Sequence, residues 1–207
     1  MTEITDFIIY AVAGYFLGAV PFGLILGFLG GYGDIRKIGS GNIGATNMLR
    51  TGNKALALAT LVLDAAKGGI AVLLARYLTD DFNIAMTAGL FAIAGHMFPL
   101  WLKFKGGKGV ATTLGTLLAL TPPLGALACA TWLLVAALSR YSSLAALIAV
   151  LSTPFAAYLL YEDDNLMGVC GVIALMVWVR HRPNIHRIVR GEEPKIGRKK
   201  QNEDQQT

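Results

Sequence analysis

The sequence predicts an all-α, polytopic membrane bundle of about seven transmembrane helices. Two observations carry this. Only 15% of the 207 residues are charged while 55% are hydrophobic, where soluble domains carry about 25% charge, and the mean hydropathy is +0.56. The apolar residues also fall into long runs, at 7–31, 55–78, 84–102, 110–138, 144–161 and 166–179. A bilayer core of about 30 Å takes roughly 20 such residues per spanning helix.

The first run follows MTEITD, where Glu3 and Asp6 stand in place of the basic segment of a cleavable signal. The second is interrupted by Asp64, Lys67 and Arg76. Charges between the runs sort by sign. Segment 34–54 holds Arg36, Lys37, Arg50 and Lys54, segment 103–108 holds Lys103, Lys105 and Lys108, SRYSS holds Arg140, and 180–200 is strongly basic. TDDFN (79–83) and EDDN (162–165) are acidic. Basic loops stay cytoplasmic, which sets the acidic ones outside. The run 110–138 satisfies this pattern only as two short helices broken at Thr121-Pro122-Pro123. Seven helices then result, with the N-terminus outside and the C-terminus cytoplasmic; five spans plus a re-entrant piece is the alternative. Residues 1–196 form one membrane-embedded domain in this reading, and the polar 197–207 a disordered tail. Gly14 with Gly18, and Gly23 with Gly27, are small-residue pairs that let helices approach closely. Cys129 and Cys170 lie inside apolar runs and read as packing residues.

Three polar segments share the expected cytoplasmic side. GSGNIGATNMLR (39–50) contains G-x-G-x-x-G at Gly39, Gly41 and Gly44, but no strand precedes it, so a dinucleotide fold is excluded. What remains is a glycine-rich turn with Ser40, Asn42, Thr46, Asn47 and Arg50, able to form an anion nest or to serve as a plain connector. KFKGGKG (103–109) is not a Walker loop, because Gly109 follows Lys108 where Ser or Thr is required. Lys103 and Lys105 read as positive anchors. Lys108 stands between Gly107 and Gly109, and with Gly106 these glycines allow amides and the ammonium to converge on a phosphate. His96 reads as a buried hydrogen-bonding residue. VRHRPNIHRIVRGEE (179–193) sets His181 and Asn184 around Pro183 at the bilayer surface, although such basic segments often only touch anionic lipid. Within the second run, Asp64 and Lys67 are spaced i, i+3 and can neutralise each other; they are either functional or an ion pair holding the helix.

Taken together, GSGNIGATN, GHMFPLWLKFKGGKGVAT and HRPNIHRIVRGEE resemble, in order and spacing, the motifs of the bacterial acyl-phosphate-dependent glycerol-3-phosphate acyltransferase family, the PlsY family. The resemblance extends over nearly the whole chain. It implies transfer of a fatty acyl group from acyl phosphate to the sn-1 hydroxyl of glycerol-3-phosphate, giving 1-acyl-glycerol-3-phosphate and inorganic phosphate at the first step of phospholipid synthesis in the bacterial inner membrane. It further implies an active site of Ser40, Arg50, Lys108, His181 and Asn184, a phosphate-binding second motif, and a structural Glu193.

The residues agree with that chemistry. The His-x-x-x-x-Asp pair of other glycerolipid acyltransferases is absent, since Trp101, His186 and Gly191 follow the three histidines at that spacing. An acyl phosphate is a mixed anhydride with a good leaving group, which leaves positioning and charge stabilisation as the protein's task. No cofactor, metal or nucleic acid is expected, and one bundle suffices as a monomer in contact with membrane lipid. The rival reading is a transporter for a phosphorylated metabolite or lipid precursor, which would need its polar groups near the midplane.

Overall fold

The computed structural model describes residues 3–196, so the expected tail at 197–207 lies outside the described residues. Among those residues the chain is all-helical: α1 (Ile4–Gly18), α2 (Phe22–Leu29), α3 (Ala45–Met48), α4 (Lys54–Thr79), α5 (Phe82–Met97), α6 (Val110–Leu120), α7 (Pro122–Ser139), α8 (Ser142–Tyr161), α9 (Asp164–Arg180) and α10 (Arg182–Val189). Five segments are long and apolar enough to cross a membrane: Ile4–Leu29, Lys54–Thr79, Phe82–Leu102, Pro122–Ser139 and Ser142–Tyr161. Helix α6, with 11 residues, and α9, with 17 residues, are shorter. At 1.5 Å per residue α6 is only about 16 Å long, and it connects to α7 through the extended Thr121. The expected break at Thr121-Pro122-Pro123 is therefore present, with Pro122 at the N-terminus of α7, where a missing N–H costs nothing.

The bundle has two chemically distinct ends. At one end the acidic turns meet, with Asn165 Nδ2 donating to Asn83 Oδ1 at 3.3 Å. Asp81 Oδ1 there accepts from the N–H groups of Asn83 and Ile84, and Asp163 Oδ1 accepts from Leu166 N–H. Both aspartates thus cap the first turns of α5 and α9. The turns are tight because Asp80 and Glu162 adopt left-handed backbone at φ 52° and 50°. The opposite end gathers 35–53, the loop before α6, the α7–α8 turn and the C-terminal segment.

Helices α1 and α5 run parallel in close contact. A Cβ on Gly14 would strike Ala88 O, and one on Gly18 would strike Ala92 O. The Tyr15 hydroxyl donates to Phe98 O at 2.7 Å just beyond the end of α5. The packing role expected of these glycines is what the backbones require. Gly18→Leu is expected to separate the helices and cost on the order of 3 kcal/mol, read as a lowered unfolding temperature in detergent; an unchanged midpoint would contradict the packing. Helix α6 lies as tightly on α4, where Gly115 faces Ala65 O and Gly68 faces Thr112 O.

Lys67, fully buried, occupies the join between α1 and α2. Its ammonium lies 2.8 Å from Asp64 Oδ1, donates to Val20 O at 2.8 Å, and stands 5.7 Å from the Phe22 ring centroid. The Val20 carbonyl, at the break before Pro21, thus accepts from a cation as well as from Phe22 N–H at 3.1 Å. His96 Nδ1 approaches the same carboxylate oxygen at 3.6 Å, so α4 and α5 share a buried polar cluster.

Candidate active site

A cavity of about 500 Å³ opens at the cationic end of the bundle. Its polar part includes Ser40, Asn42, Arg50, Lys108, His181 and Asn184; its apolar arm runs between α4, α6 and α7 along Leu58, Leu61, Leu114, Trp132 and Leu133. The five residues expected to do the chemistry all line this one space, drawn from three segments far apart in sequence. So do Asn42, Gly44, Thr46, Asn47, Gly109 and Asp64. Gly41, Gly106, Gly107 and Lys67 do not line it, and Lys103 and Lys105 are exposed outside it.

The first loop is organised by Asn47, which is 1% exposed. Its Nδ2 donates to Ile35 O and Asn42 O, both at 2.8 Å. Its Oδ1 accepts from Ser40 N–H at 2.9 Å, from the Ser40 hydroxyl at 3.2 Å and from Arg50 Nη1 at 3.4 Å. Both amide hydrogens are consumed within the loop, so Asn47 holds Ser40 and Arg50 in place. Gly39 and Gly41, at φ 56° and 71°, supply the left-handed turns that this wrapping demands. Thr46 Oγ1 meets Ser142 Oγ at 3.2 Å and ties the loop to α8.

Lys108 makes no hydrogen bond or ion pair among the described residues, although it is half-buried and lines the cavity. Burial pushes its ammonium down to about 8; Glu193 opposes the shift, and Arg187, Arg50 and Arg180 reinforce it. Burial likewise lowers Arg50 from the ordinary guanidinium range. Two cations with spare donors facing one space form a site for an anion.

His181, 2% exposed, follows the last residue of α9. Its Nδ1 lies 2.8 Å from Val177 O. A carbonyl only accepts, which assigns the hydrogen to Nδ1 and leaves Nε2 with a free lone pair. Burial first, and the Lys108 cation second, push this imidazole down to about 4, so it is neutral near pH 7. Asn184, in the first turn of α10 beside Pro183, donates from Nδ2 to Glu193 Oε1 at 2.6 Å. Its Oδ1 is buried without a partner. Because a carboxylate only accepts, the amide is oriented with Oδ1 as its unused acceptor.

Glu193 is a hub whose connections sequence reasoning did not reveal. Besides Asn184 it accepts from Ser143 Oγ at 2.7 Å and from Arg187 Nε at 2.7 Å. Burial pushes its carboxyl up, yet the hydrogen bonds from Ser143, Asn184 and Arg187 outweigh this and hold it below the usual range. The C-terminal segment is secured further along as well: Ile196 N–H donates to Arg140 O at 2.7 Å, and Arg140 Nη2 donates to Ile196 O at 3.1 Å. Glu193 and Pro194 thereby close one wall of the cavity. The missed participants are Ser142, Ser143 and Arg180. For Arg180 a signal existed, its position beside His181 in VRHRPN; the serines in SRYSS carried none. Among the described residues no three His, Cys, Asp or Glu side chains come together as a metal cluster.

The comparisons with known proteins point to one family. The family model for glycerol-3-phosphate acyltransferase matches residues 8–191. A glycerol-3-phosphate acyltransferase of Rhodospirillum rubrum is 59% identical over 197 residues, covering 92% of this chain and 91% of its own. One from Caulobacter vibrioides is 59% identical over 192 residues, covering 91% and 87%. The crystal structure of PlsY (YgiH), an integral membrane glycerol 3-phosphate acyltransferase, in its glycerol 3-phosphate form superposes with a TM-score of 0.86 at 35% identity, covering 92% of this chain and 96% of that one. A family model that spans residues 8–191, relatives that are more than half identical and a shared membrane fold leave one assignment: the chain belongs to the glycerol-3-phosphate acyltransferase family, as an integral membrane enzyme of phospholipid synthesis.

Proposed function

We propose that the acyl donor is an acyl phosphate and that the sn-1 hydroxyl of glycerol-3-phosphate is the acceptor. The observation that carries this is the cavity itself, which pairs Lys108, without a partner among the described residues, and Arg50, held by Asn47, with an apolar arm along Leu61, Leu114 and Leu133. A fatty chain fits the arm, and phosphate groups fit the cationic part. Residues 1–196 act as one catalytic domain, a monomer with seven crossings. Its N-terminus is outside, and the site opens to the cytoplasmic side of the bacterial inner membrane, which the cationic loops around the cavity support.

In the reaction the hydroxyl oxygen of glycerol-3-phosphate attacks the acyl carbonyl carbon, the carbon–oxygen bond to phosphate breaks, and the hydroxyl proton must be taken up. His181, lowered to about 4, is a poor base near pH 7, where efficient general bases have values close to the working pH. Its Nε2 and Asn184 Oδ1 instead accept hydrogen bonds that orient the two glycerol hydroxyls. The proton passes to an oxygen of the leaving phosphate, which is the stronger base. Lys108 and Arg50 neutralise the charge gathering there, and Ser40 with Asn42 lines the wall beside them.

The test supplies purified protein with glycerol-3-phosphate and, in turn, palmitoyl phosphate, palmitoyl-coenzyme A and palmitoyl-acyl carrier protein. Expected is stoichiometric phosphate release with palmitoyl phosphate alone, and a product acylated at sn-1 by fragmentation mass spectrometry. Faster turnover of either thioester would overturn the donor assignment; an sn-2 product would overturn the acceptor assignment.

A further inference from the structure

The glycine loop before α6 offers less to a ligand than its composition suggests. Gly106 N–H donates to Met97 O at 3.1 Å and Gly107 N–H donates to His96 O at 3.0 Å. These carbonyls belong to the last turn of α5, where helical partners run out. On the other face, Arg180 Nη2 donates to Gly106 O at 2.7 Å and Arg180 Nε donates to Gly107 O at 3.1 Å. The guanidinium carbon stands 5.4 Å from the Phe98 ring centroid. The N–H and C=O groups of both glycines are therefore taken up by the protein. Side chains are excluded too, since a Cβ on Gly107 would meet the His96 ring and one on Gly106 would meet His96 O. The pair forms a flat strip pressed between the end of α5 and Arg180. What the strip delivers to the cavity is the next residue, Lys108.

Arg180 does not line the cavity, so it acts on the substrate through its neighbours and not by contact. We propose that Arg180 is a positioning residue: by bridging the carbonyls of Gly106 and Gly107 it fixes the loop that aims Lys108 at the phosphate of the substrate. This rests on the reading of Lys108 as a phosphate-binding group. The fork geometry is specific to arginine, because a lysine ammonium is a single point charge that cannot place two parallel donors on consecutive carbonyls. A misplacement of about 1 Å in such a group costs on the order of 100-fold in rate.

The experiment compares wild type, Arg180→Ala, Arg180→Lys and Phe98→Leu in palmitoyl phosphate turnover, normalised to folded protein by size exclusion. Expected are losses in kcat/KM of about 100-fold for Arg180→Ala and about 10-fold for Arg180→Lys, with Phe98→Leu near wild type because both carbonyl bonds survive. The second readout is the alkaline limb of the kcat/KM–pH profile. The charged groups around Lys108 are Glu193, Arg187, Arg50 and Arg180, with His181 neutral beside them. Loss of Arg180 removes one repelling cation and frees the loop toward solvent, so the limb moves to higher pH. A role confined to packing α9 would lower the unfolding temperature, leave the activity per folded molecule unchanged, and leave the limb of Arg180→Lys, which keeps the cation, at its wild-type position. That result overturns the proposal, as does wild-type activity in folded Arg180→Ala. Should Arg180→Ala fail to fold, Arg180→Lys decides, through the same limb and the same normalised rate. Lys108→Ala is run alongside: full activity there would defeat the phosphate reading itself, whereas an inactive Lys108→Ala beside a normal Arg180→Ala would defeat only the role of Arg180.

Discussion

Lys108→Ala is expected to lose about 1,000-fold or more of acyl transfer while folding normally. The two halves of this expectation have separate origins. Folding is spared because the ammonium makes no hydrogen bond or ion pair among the described residues, so its removal orphans no partner. Turnover is lost because a preorganised charge inside a partly dehydrated cavity is among the largest single contributions to catalysis. Lys108→Arg retains charge but not shape, and falls between the two. The pH dependence follows from the same group. In the proposed role its protonated form binds phosphate, and its value is lowered to about 8, so kcat/KM is expected to decline as pH rises through about 8 rather than near the ordinary lysine value. In Lys108→Arg the decline disappears from that range. Unfolding cannot mimic this decline through Lys108 itself. A folded state that holds its proton more weakly than the unfolded chain gains stability as pH rises between the two values. Phosphate release from palmitoyl phosphate, followed between pH 6 and 10, checks both statements; activity above a tenth of wild type in folded Lys108→Ala would remove the residue from the mechanism.

Why Lys108 was legible in the sequence while its surroundings were not is a matter of range. Its flanking glycines are local, as are the apolar runs that became the spans, the break at Thr121 and the small-residue spacing of Gly14 and Gly18. The convergence of 39–50, 108 and 181–184 followed from counting crossings and from the resemblance. The hydrogen-bond partners could not be read in this way. Glu193 meets Ser143, fifty positions away; Thr46 meets Ser142; Arg180 meets Gly106 and Gly107. Such pairings depend on how helices stack, and composition carries no record of them. Two local expectations also needed refinement. Asn47 has the chemistry of a ligand contact, but its amide hydrogens close the loop. Gly106 and Gly107 look like a phosphate nest, but their N–H groups complete the end of α5. The acidic residues Asp81 and Asp163 carry a double signal: they mark one end of the bundle by charge, and they are there also as helix caps.

Lys67→Ala carries the largest expected loss of stability. The side chain is 2% exposed and its ammonium stands 2.8 Å from Asp64 Oδ1 and 2.8 Å from Val20 O. Truncation strands a carboxylate inside the bundle and removes one of two donors from the Val20 carbonyl at the break between α1 and α2. Removing one partner of a buried pair costs about 3–5 kcal/mol, and the lower part of that range applies where the unfolded chain also finds partners within lipid. The double variant Asp64→Asn with Lys67→Met removes both charges, and is expected to be more stable than Lys67→Ala despite changing twice as many residues. That inversion separates an ion pair kept for its own balance from two independent packing positions, which would simply add. Thermal unfolding in detergent, with turnover measured on the folded fraction, reads both quantities. The pair is structural if the folded fraction of Lys67→Ala keeps its turnover. A Lys67→Ala protein that unfolds at the wild-type temperature yet turns over no substrate would instead make the pair part of the reaction, reaching the cavity through Asp64 and His96, which line it from beneath.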